Sequence, residues 1–313
     1  MTALVVGIDG GGTGTRCVVA THGGEVAGRG HAGGSNALSS AAPEAALRTA
    51  LRAALGGLPA DRVTAGVFAL AGSGPAGERA GAMVAEVWRA CGLAGPPVVV
   101  PDTLAAFAGA TAEPSGTVLV AGTGAVATRV TEWRLTARAD GYGWIVGDEG
   151  SGVWIGRRAV RAVLAALDGR AGPTALRDAV PGGGVAERIV DAVHTGVAEA
   201  GPAWLARLAP AVEEAARAGD AAALDIVREA AGRLLAAVRA LGPSPGPLVL
   251  AGSLLSEPTL LAELVRGGLG GPGLTVLTAR SGDAGARGAA ALALRRSRPG
   301  APAPVSAHRR LIS

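Results

Sequence analysis

Val5–Arg16 has the sequence Val-Val-Gly-Ile-Asp-Gly-Gly-Gly-Thr-Gly-Thr-Arg, and this stretch decides the fold. Its apolar, β-branched start predicts a buried strand, and the glycines after Asp9 predict a tight turn into a second strand at Cys17–Thr21. Because glycine has no side chain, the backbone N–H groups of such a turn can approach a polyphosphate closely. An ordinary glycine-rich β-hairpin would have the same pattern, so this stretch alone leaves both interpretations open.

The turn contains candidate ligands for phosphate and for a metal ion. Gly11 and Gly12 would allow the close backbone approach, and the hydroxyl groups of Thr13 and Thr15 could donate further hydrogen bonds. Asp9, at the end of the strand, could hold a phosphate-bound Mg²⁺ directly or through water. These residues predict an ATP phosphate site with Asp9 as the metal ligand.

Two other nucleotide-binding patterns do not fit. A P-loop needs Gly-Lys-Ser/Thr before a helix, and the chain contains no lysine. The dinucleotide fingerprint needs a helix after its glycines, whereas Cys17–Thr21 continues as a strand. A strand–turn–strand cradle remains, and a second one occurs at Val118–Arg129, with its turn at Gly122-Thr123-Gly124. Two such cradles would let two halves of the protein grip one nucleotide between them.

Length, charge and composition limit the class of protein. The 313 residues exceed what one hydrophobic core usually supports, so we expect an N-terminal α/β domain at 1–114 and a larger C-terminal one at 115–298. The last helix could pack back on the N-terminal domain, and a flexible tail is expected at 299–313. Although the net charge is +4, the basic residues are scattered arginines, so nucleic acid is not an expected partner.

Cysteine usage and hydropathy indicate the compartment. Cys17 and Cys91 are too few and too far apart for a disulfide framework, and the four histidines have no metal-ligand spacing. No apolar run approaches the roughly 18 residues of a membrane span. The N-terminus enters a strand directly and does not have the pattern of a signal peptide. We therefore expect a cytoplasmic protein without a membrane partner.

The apolar periodicity predicts an α/β fold in which each half starts with strands around a glycine turn. In the first half we expect strands at 3–9, 16–21, 25–30, 63–70 and 98–100, and helices at 43–55, 76–91 and 103–110. In the second half we expect strands at 117–122, 125–131, 133–138, 247–251 and 274–277, and helices at 150–168, 185–200, 203–218, 220–241, 257–267 and 284–297. The shared start of the two halves indicates a duplicated fold.

The order of the motifs resembles the superfamily of actin-like ATPases and sugar kinases. Asp102 at a strand end and Gly252-Ser253 after a late strand complete the order begun by the two glycine turns. Within this superfamily, Gly141–Gly156 (Gly-Tyr-Gly-Trp-Ile-Val-Gly-Asp-Glu-Gly-Ser-Gly-Val-Trp-Ile-Gly) is similar to the signature of the N-acetylglucosamine and glucosamine kinase family. That family shares ancestry with ATPases that activate radical dehydratases. The resemblance covers about residues 4–296 and implies two actin-like (ribonuclease H-like) domains with an interdomain cleft.

The resemblance also implies an activity. The expected enzyme is an ATP- and Mg²⁺-dependent hexosamine kinase that phosphorylates glucosamine at the 6-hydroxyl group. N-acetylglucosamine is the alternative substrate, and a non-sugar ATPase or activator of the same superfamily is a further alternative. The expected partners are the amino sugar and ATP, and the expected assembly is a homodimer.

Asp102 matches the catalytic base of the family. Phosphoryl transfer to a sugar hydroxyl needs an acceptor for the hydroxyl proton. Asp102 follows Val98–Pro101, and the carboxyl ends of strands are where α/β sites collect. Asp102 would also suit the N-cap of the helix at 103–110, and the two roles are compatible.

The remaining site residues follow from the resemblance. For the sugar they are Asn36, Gly141, Tyr142, Gly143, Asp148 and Glu149. For ATP they are Gly11, Gly12, Thr13 and Thr15 in the first loop, Gly122, Thr123 and Gly124 in the second, and Ala216, Gly252 and Ser253 around adenosine. Structural alternatives stay open: a plain turn at Asn36, a helix start at Glu149 and Ser151, and a surface helix end at 214–220.

Two departures from the family bear on the substrate. Ala125 and Val126 stand where some members carry a polar residue that meets the sugar, and Tyr142 stands where tryptophan is common. Fewer polar groups would weaken a pocket for an acetamide, which favours unmodified glucosamine. Its partly protonated amine would be met by Asp148 or Glu149.

Functions from other classes fit the sequence less well. A radical-dehydratase activator would need cysteines spaced to hold an iron–sulfur cluster, and Cys17 and Cys91 do not provide them. A sugar-responsive repressor would need a helix-turn-helix before the first strand and a zinc-binding cysteine cluster. A chaperone-like ATPase would need an added substrate domain. The sequence therefore favours a sugar kinase over these alternatives.

Overall fold

The structure is a computed structural model that describes residues 2–36, 40, 42–72, 77–270, 273–280, 282–297 and 305–312. The chain forms two compact units. Unit 1 comprises Met1–Val118, Val130–Leu135 and Leu277–Ser313, and unit 2 comprises Leu119–Arg129 and Thr136–Val276. The first part of the predicted tail, 299–304, lies outside the described residues.

The first half of the chain forms a five-stranded sheet with flanking helices. Its elements are β1 (Leu4–Gly10), β2 (Thr15–Thr21), β3 (Val26–Ala32), α1 (Pro43–Leu55), β4 (Val63–Leu70), α2 (Gly77–Ala90), β5 (Val98–Pro101) and α3 (Asp102–Ala110), with a 3₁₀ helix at Ala60–Arg62. The strand order is β3-β2-β1-β4-β5. β1 pairs antiparallel with β2 and parallel with β4, so the predicted antiparallel start of an α/β sheet is confirmed.

The second half repeats this arrangement. Its elements are β6 (Gly116–Ala121), β7 (Ala125–Thr131), β8 (Arg134–Asp140), α4 (Gly152–Leu167), α5 (Leu176–Ala179), α6 (Ala186–Ala200), α7 (Ala203–Ala206), α8 (Ala209–Arg217), α9 (Ala221–Ala240), β9 (Leu248–Ala251), α10 (Ser253–Ser256), α11 (Leu260–Gly268), β10 (Val276–Thr278), α12 (Ala284–Arg296) and α13 (Val305–Ile312). The order β10-β9-β6-β7-β8 is that of the first sheet when β6 takes the place of β1. The duplicated fold is therefore present.

Proline positions explain where the observed helices differ from the predicted ones. The helix expected at 203–218 is divided into α7 and α8, and Pro210 lies in the first turn of α8. Proline has no N–H group and is tolerated only in a first turn, so a continuous helix is broken here. Pro258 likewise separates α10 from α11, whose N-cap is Thr259 rather than residue 257.

Helix α12 packs against β1 and α3 in unit 1, and glycines allow the close approach. A Cβ atom on Gly7 of β1 would collide with the backbone of α12 at Ala290. A Cβ atom on Gly288 of α12 would collide with the carbonyl oxygen of Ala105 in α3. This packing brings the first turn of α12 to the end of β1.

Helix α13 lies in the segment that the sequence predicts to be a flexible tail. His308 is buried, and its Nε2 donates to the carbonyl oxygen of Ala108 at 2.7 Å. Its ring also contacts Trp133, with 5.4 Å between centroids. Burial lowers the pKa of His308 to about 4, so the ring is neutral at physiological pH. The buried ring therefore attaches α13 to unit 1.

Each unit has its own apolar core. In unit 1, Ile8 and Phe68 of the sheet pack with Leu47 and Trp88 of the helices. In unit 2, a larger cluster joins the sheet to α4, α8, α9 and α11. Among the helices that the structure describes, none combines the length and apolar character needed to cross a bilayer.

Candidate active site

The first glycine loop closes the hairpin between β1 and β2. The strand register pairs Gly10 with Thr15, and the N–H group of Gly11 donates to the carbonyl oxygen of Gly14 at 2.9 Å. Gly12 and Thr13 are exposed at the tip. The backbone and hydroxyl donors at the tip are therefore accessible to a ligand.

Thr15 lies at the base of this loop. Its side chain is buried, and its hydroxyl oxygen lies 2.7 Å from both the carbonyl oxygen of Gly33 and the hydroxyl oxygen of Ser35. The Thr15 hydroxyl is therefore bonded within unit 1 and braces the loop. Ser35, which sequence analysis missed, also lies against Gly10, where a Cβ atom would collide with its hydroxyl group.

Asn36 is attached to the same loop through its backbone. The N–H groups of Ser35 and Asn36 donate to the carbonyl oxygen of Gly11 at 3.0 and 3.2 Å. The first glycine loop and the segment that carries Asn36 thus form one hydrogen-bonded structure. The structure brings the predicted phosphate loop and the predicted sugar-binding asparagine together within unit 1.

Two carboxylates lie at the carboxyl ends of strands in unit 1. Asp9 is near the end of β1, and Asp102 directly follows β5. Strand β4 lies between these two strands, and its last residue, Leu70, pairs with Gly10 of β1 on one side and with Pro101 of β5 on the other. Asp102 is the first residue of α3, and its Oδ1 accepts from the N–H group of Thr103 at 3.0 Å. The expected N-cap position is therefore occupied by Pro101, one residue earlier.

The surroundings raise the pKa of both carboxyl groups. Desolvation, together with the nearby charge of Asp102, raises the pKa of Asp9 to about 7, although Arg16 opposes the shift. Desolvation also raises the pKa of Asp102, against the hydrogen bond from Thr103. Asp9 also lies beside the first turn of α12, where a Cβ atom on Gly285 would collide with its Oδ2. A raised pKa suits a carboxylate that must accept a proton near neutral pH.

These carboxylates fit a magnesium ion held together with phosphate. Mg²⁺ usually keeps several waters and binds one or two carboxylates plus substrate phosphates, so it does not need a cluster made only of protein groups. Within the described ranges, no group of three or more His, Cys, Asp or Glu residues could hold a metal ion. The pKa of Asp9 is raised mainly by desolvation and also by the charge of Asp102, and a cation beside Asp9 would offset that charge.

The second glycine loop is fixed to the start of α4 in unit 2. The carbonyl oxygen of Gly122 accepts from the N–H group of Gly152 at 2.7 Å, and the carbonyl oxygen of Thr123 accepts from the N–H group of Val153 at 3.3 Å. Ser151 is the N-cap of α4, and its hydroxyl oxygen accepts from the N–H group of Trp154 at 3.2 Å. The helix start that the sequence suggests at this position is therefore present.

Gly252 and Ser253 lie against this second loop. Gly252 has a φ of 85°, and a Cβ atom there would collide with the backbone of Ala121. A Cβ atom on Gly122 would be 3.8 Å from the hydroxyl oxygen of Ser253, an ordinary contact distance. Ala216, by contrast, is buried in the apolar core of unit 2 and does not expose its side chain.

The segment from Gly141 to Glu149 forms a loop between β8 and α4. Tyr142 is 60% exposed. Val126 contacts the backbone of Gly141, because a Cβ atom built on Gly141 would be 2.7 Å from the Cγ2 atom of Val126. Ala125, the other apolar residue singled out in the sequence, is buried in the core of unit 2. An apolar side chain therefore lies beside the predicted sugar loop.

Asp148 and Glu149 have different partners. The Oδ1 of Asp148 accepts from the N–H group of Gly143 at 3.3 Å, and its Oδ2 would be 2.8 Å from a Cβ atom on Gly124. Glu149 instead forms an ion pair with Arg233 at 3.0 Å. The structure thus brings Asp148 to the second glycine loop, and the charge of Glu149 is already paired.

Asp140 and Arg233 are the residues around this loop that sequence analysis missed. Asp140 ends β8, and its two carboxylate oxygens accept from the N–H groups of Asp148 and Glu149 at 2.8 and 2.7 Å. The Asp-Gly pair at 140–141 is a turn signal in the sequence. Arg233 is far away in the chain on α9, and no local pattern indicates its pairing with Glu149.

Comparisons with known proteins identify similar chains. Residues 6–293 match the sequence profile of the BadF/BadG/BcrA/BcrD ATPase family. A curated relative, the N-acetylmuramic acid/N-acetylglucosamine kinase of Clostridium acetobutylicum, is 31% identical over 174 residues, which are 55% of this chain and 57% of that relative. The match thus spans little more than half of the relative's length.

Solved structures match over almost the whole chain. A proposed N-acetylglucosamine kinase from Chromobacterium violaceum is 28% identical with a TM-score of 0.72, and the match covers 93% of this chain and 99% of that one. A proposed N-acetylglucosamine kinase from Porphyromonas gingivalis is 23% identical with a TM-score of 0.70, over 90% of this chain and 96% of that one. The predicted α/β, actin-like fold class is confirmed by this likeness.

Proposed function

Because the chain belongs to the BadF/BadG/BcrA/BcrD ATPase family, we propose that it is an ATP-dependent amino-sugar kinase. The resemblance that Gly141–Gly156 indicates is confirmed at the level of this family. The observation that carries the proposal is the pair of carboxylates, Asp9 and Asp102, at the carboxyl ends of β1 and β5, on either side of β4 and near enough for the charge of Asp102 to contribute to the raised pKa of Asp9. The names of the relatives point to amino sugars as acceptors.

In the proposed reaction, Asp102 accepts the proton of the sugar hydroxyl group while the hydroxyl oxygen attacks the γ-phosphorus of ATP. The bond from the γ-phosphorus to the bridging oxygen breaks, and ADP leaves. Because burial raises the pKa of Asp102, this residue is a stronger base than an ordinary carboxylate. Asp9 would hold Mg²⁺, which supplies positive charge to offset the phosphate oxygens.

The remaining predicted residues receive proposed roles that follow their positions. Exposed donors of the first loop, at Gly12 and Thr13, would bind phosphate oxygens, Gly11 would allow the phosphate to approach closely, and Thr15 would hold that loop in shape. In unit 2 the second loop, Gly122–Gly124, would bind phosphate, with Gly252 and Ser253 near adenosine. Asn36 and Asp148, with Gly141, Tyr142 and Gly143, would contact the sugar. Mg²⁺, a homodimer and a cytoplasmic location are part of the same proposal.

A screen of ATP consumption tests the proposal as a whole. Glucosamine, N-acetylglucosamine, mannosamine, muramic-type sugars and glucose would each be added to the enzyme with ATP and Mg²⁺. We expect at least one amino sugar to stimulate ADP release well above the rate without sugar. Stimulation by none of them would overturn the kinase proposal in favour of a non-sugar ATPase of the family.

For the specific substrate we propose glucosamine, phosphorylated at the 6-hydroxyl group. Val126 presents an apolar surface beside Gly141, so an acetamide there would bury its N–H and C=O groups unpaired. Each unpaired group costs about 1–3 kcal/mol, or roughly 10- to 100-fold in kcat/KM. Asp148 could instead meet the protonated amine with a charge-assisted hydrogen bond. N-acetylglucosamine is the second candidate, because it occurs in the names of the relatives.

Competition kinetics with glucosamine, N-acetylglucosamine and glucose at one ATP concentration decide between these substrates. We expect glucosamine to have the highest kcat/KM, and the Val126→Thr variant, which adds a hydroxyl group at similar volume, to shift the ratio towards N-acetylglucosamine. A wild-type preference for N-acetylglucosamine would refute the pocket assignment but not the kinase. A preference for glucose would refute the amino-sugar proposal.

Gly10 and Gly11 are neighbours in the first glycine loop, and alanine substitutions at these two positions distinguish a phosphate-binding loop from an ordinary hairpin. A Cβ atom on Gly10 would collide with Ser35, whereas one on Gly11 would have only an ordinary contact at 3.7 Å. Gly10→Ala should therefore lower the free energy of unfolding by about 1–3 kcal/mol. Gly11→Ala should leave it nearly unchanged and raise the KM for ATP by about tenfold, because the methyl group obstructs close approach of phosphate.

Urea unfolding and steady-state kinetics measure the two quantities on the same preparations. A Gly11→Ala enzyme with wild-type stability and wild-type KM for ATP would favour the ordinary hairpin over the phosphate cradle.

A further inference from the structure

Asp140 uses both oxygens of its carboxylate to hold one turn of the chain. Oδ1 accepts from the N–H group of Asp148 at 2.8 Å, and Oδ2 accepts from that of Glu149 at 2.7 Å. Asp140 is the last residue of β8 and itself has a left-handed φ, of 62°. Its carboxylate therefore fixes the far end of the 141–147 loop to the end of β8.

The turn that Asp140 holds has a backbone conformation that needs support. Asp148 has a φ of 55°, in the left-handed region that non-glycine residues rarely adopt. Gly147 passes so close to Asp140 that a Cβ atom there would be 2.5 Å from its Oδ1. Gly147 also donates from its N–H group to the carbonyl oxygen of Gly143 at 2.8 Å. The surrounding bonds thus determine the conformation of Asp148.

The conformation of Asp148 sets the direction of its carboxylate. With this backbone, Oδ1 reaches the N–H group of Gly143, and Oδ2 lies against the Cα of Gly124 in the second glycine loop. If the turn relaxed towards an ordinary φ, the side chain would leave both neighbours. Asp140 does not reach these groups itself, so any effect it has on a bound ligand passes through Asp148.

We propose that Asp140 is a positioning residue for substrate binding, which orients Asp148 towards the amino sugar by holding the N–H groups of Asp148 and Glu149. This inference rests on the proposed function, because it takes Asp148 as a sugar contact. Nothing in the resemblance to known kinases assigns a role to Asp140.

The test uses Asp140→Asn, which keeps the size of the side chain but replaces one acceptor oxygen with a donor NH₂ group. One of the two N–H groups then faces a donor, and the turn loses its fixed geometry. We expect the KM for the amino sugar to rise by about tenfold or more, while the KM for ATP changes less than about twofold.

Ser115→Ala is the matched control. The hydroxyl oxygen of Ser115 accepts from the N–H group of Glu132 at 3.1 Å, and Glu132 also has a left-handed φ, of 48°. The control thus removes the same kind of support from a turn in unit 1 that holds no predicted site residue. Its KM for the sugar should equal that of the wild-type enzyme. An equal rise in the control would overturn a specific role for Asp140.

A double-mutant cycle with Asp148→Asn separates positioning from general damage. If Asp140 acts through Asp148, adding Asp140→Asn to the Asp148→Asn enzyme should change the KM for the sugar by less than about twofold. Fully additive effects, or an equal rise in KM for ATP and for the sugar, would overturn the proposal.

Amide hydrogen exchange gives a readout that does not need turnover. In the Asp140→Asn variant, the amides of Asp148 and Glu149 should exchange at least about tenfold faster than in the wild-type protein. In the Ser115→Ala variant, the same two amides should exchange at the wild-type rate. Unchanged exchange would overturn the role of Asp140 in the turn. A wild-type protein that phosphorylates no sugar would instead overturn the proposed function, and the exchange result would still stand.

Discussion

Asp102→Asn is expected to lower kcat by about 100-fold or more while ATP and the amino sugar still bind. The substitution removes the group that accepts the hydroxyl proton but keeps its shape. The amide oxygen of asparagine can still accept from the N–H group of Thr103, which Asp102 does at 3.0 Å, so the start of α3 should be preserved. Single-turnover kinetics would measure the chemical step, and calorimetry would measure binding of each substrate.

The control for this prediction is Asp61→Asn, which removes an exposed carboxylate in the 3₁₀ helix of the same unit. It should retain wild-type kcat. The pH dependence adds a second criterion, because the raised pKa of Asp102 places the loss of activity on acidification at a higher pH than for an ordinary carboxyl group. A near-wild-type turnover in Asp102→Asn would exclude Asp102 as the base.

The fold was predictable from sequence because its signals are local. The run from Val5 to Thr21 alternates between apolar strands and a glycine turn, and the strands pair as that pattern requires. The division of 203–218 into two helices was missed because the apolar periodicity continues across Pro210, although the missing N–H group of proline breaks the backbone ladder. At Pro210, the missing N–H group of proline therefore decides where the helix ends, although the apolar periodicity continues.

The candidate site was less predictable, because side chains acquire their roles from partners distant in the chain. Thr15 has the right type and place for a phosphate contact, yet its hydroxyl is bonded to Gly33 and Ser35. Glu149 was expected to meet an amine, and its charge is instead paired with Arg233. Sequence patterns identify residue types at a site, whereas the direction in which each side chain donates or accepts depends on the three-dimensional contacts.

Asp9→Asn is expected to make the metal-free protein more stable at pH 8 and at the same time to abolish turnover with Mg²⁺ and ATP. The pKa of Asp9 is about 7 in the folded protein against an ordinary value of 3.8, because folding desolvates the group and brings it near Asp102. Between these two values the unfolded chain has already lost the proton that the folded protein retains. The free energy of unfolding of the wild-type protein should therefore fall as pH rises from about 4 to about 7.

The size of this effect follows from the shift in pKa. One unit corresponds to about 1.4 kcal/mol, so the ionised Asp9 carboxylate costs the folded protein up to roughly 4 kcal/mol above pH 7. Asparagine has nearly the same shape without the charge, so the variant should lack this dependence on pH. The difference between variant and wild type should be small near pH 4, grow towards pH 7 and then remain constant. Urea unfolding in buffers with EDTA, with Asp61→Asn as the control, would measure it.

Addition of Mg²⁺ and ATP should reverse the order of the two proteins. A ligand that binds only the folded state stabilises it in proportion to its affinity, and Asp9 is the proposed contact for the metal. The wild-type protein should therefore gain stability on addition of Mg²⁺ and ATP, whereas Asp9→Asn should gain much less. If Asp9→Asn lowers stability at pH 8 in EDTA, the carboxylate is not a desolvated charge. If both proteins gain equally from Mg²⁺ and ATP, Asp9 is not a ligand of the metal. The expected pattern, a destabilising carboxylate that becomes favourable when the cation binds, would explain why an acidic residue occupies the end of β1.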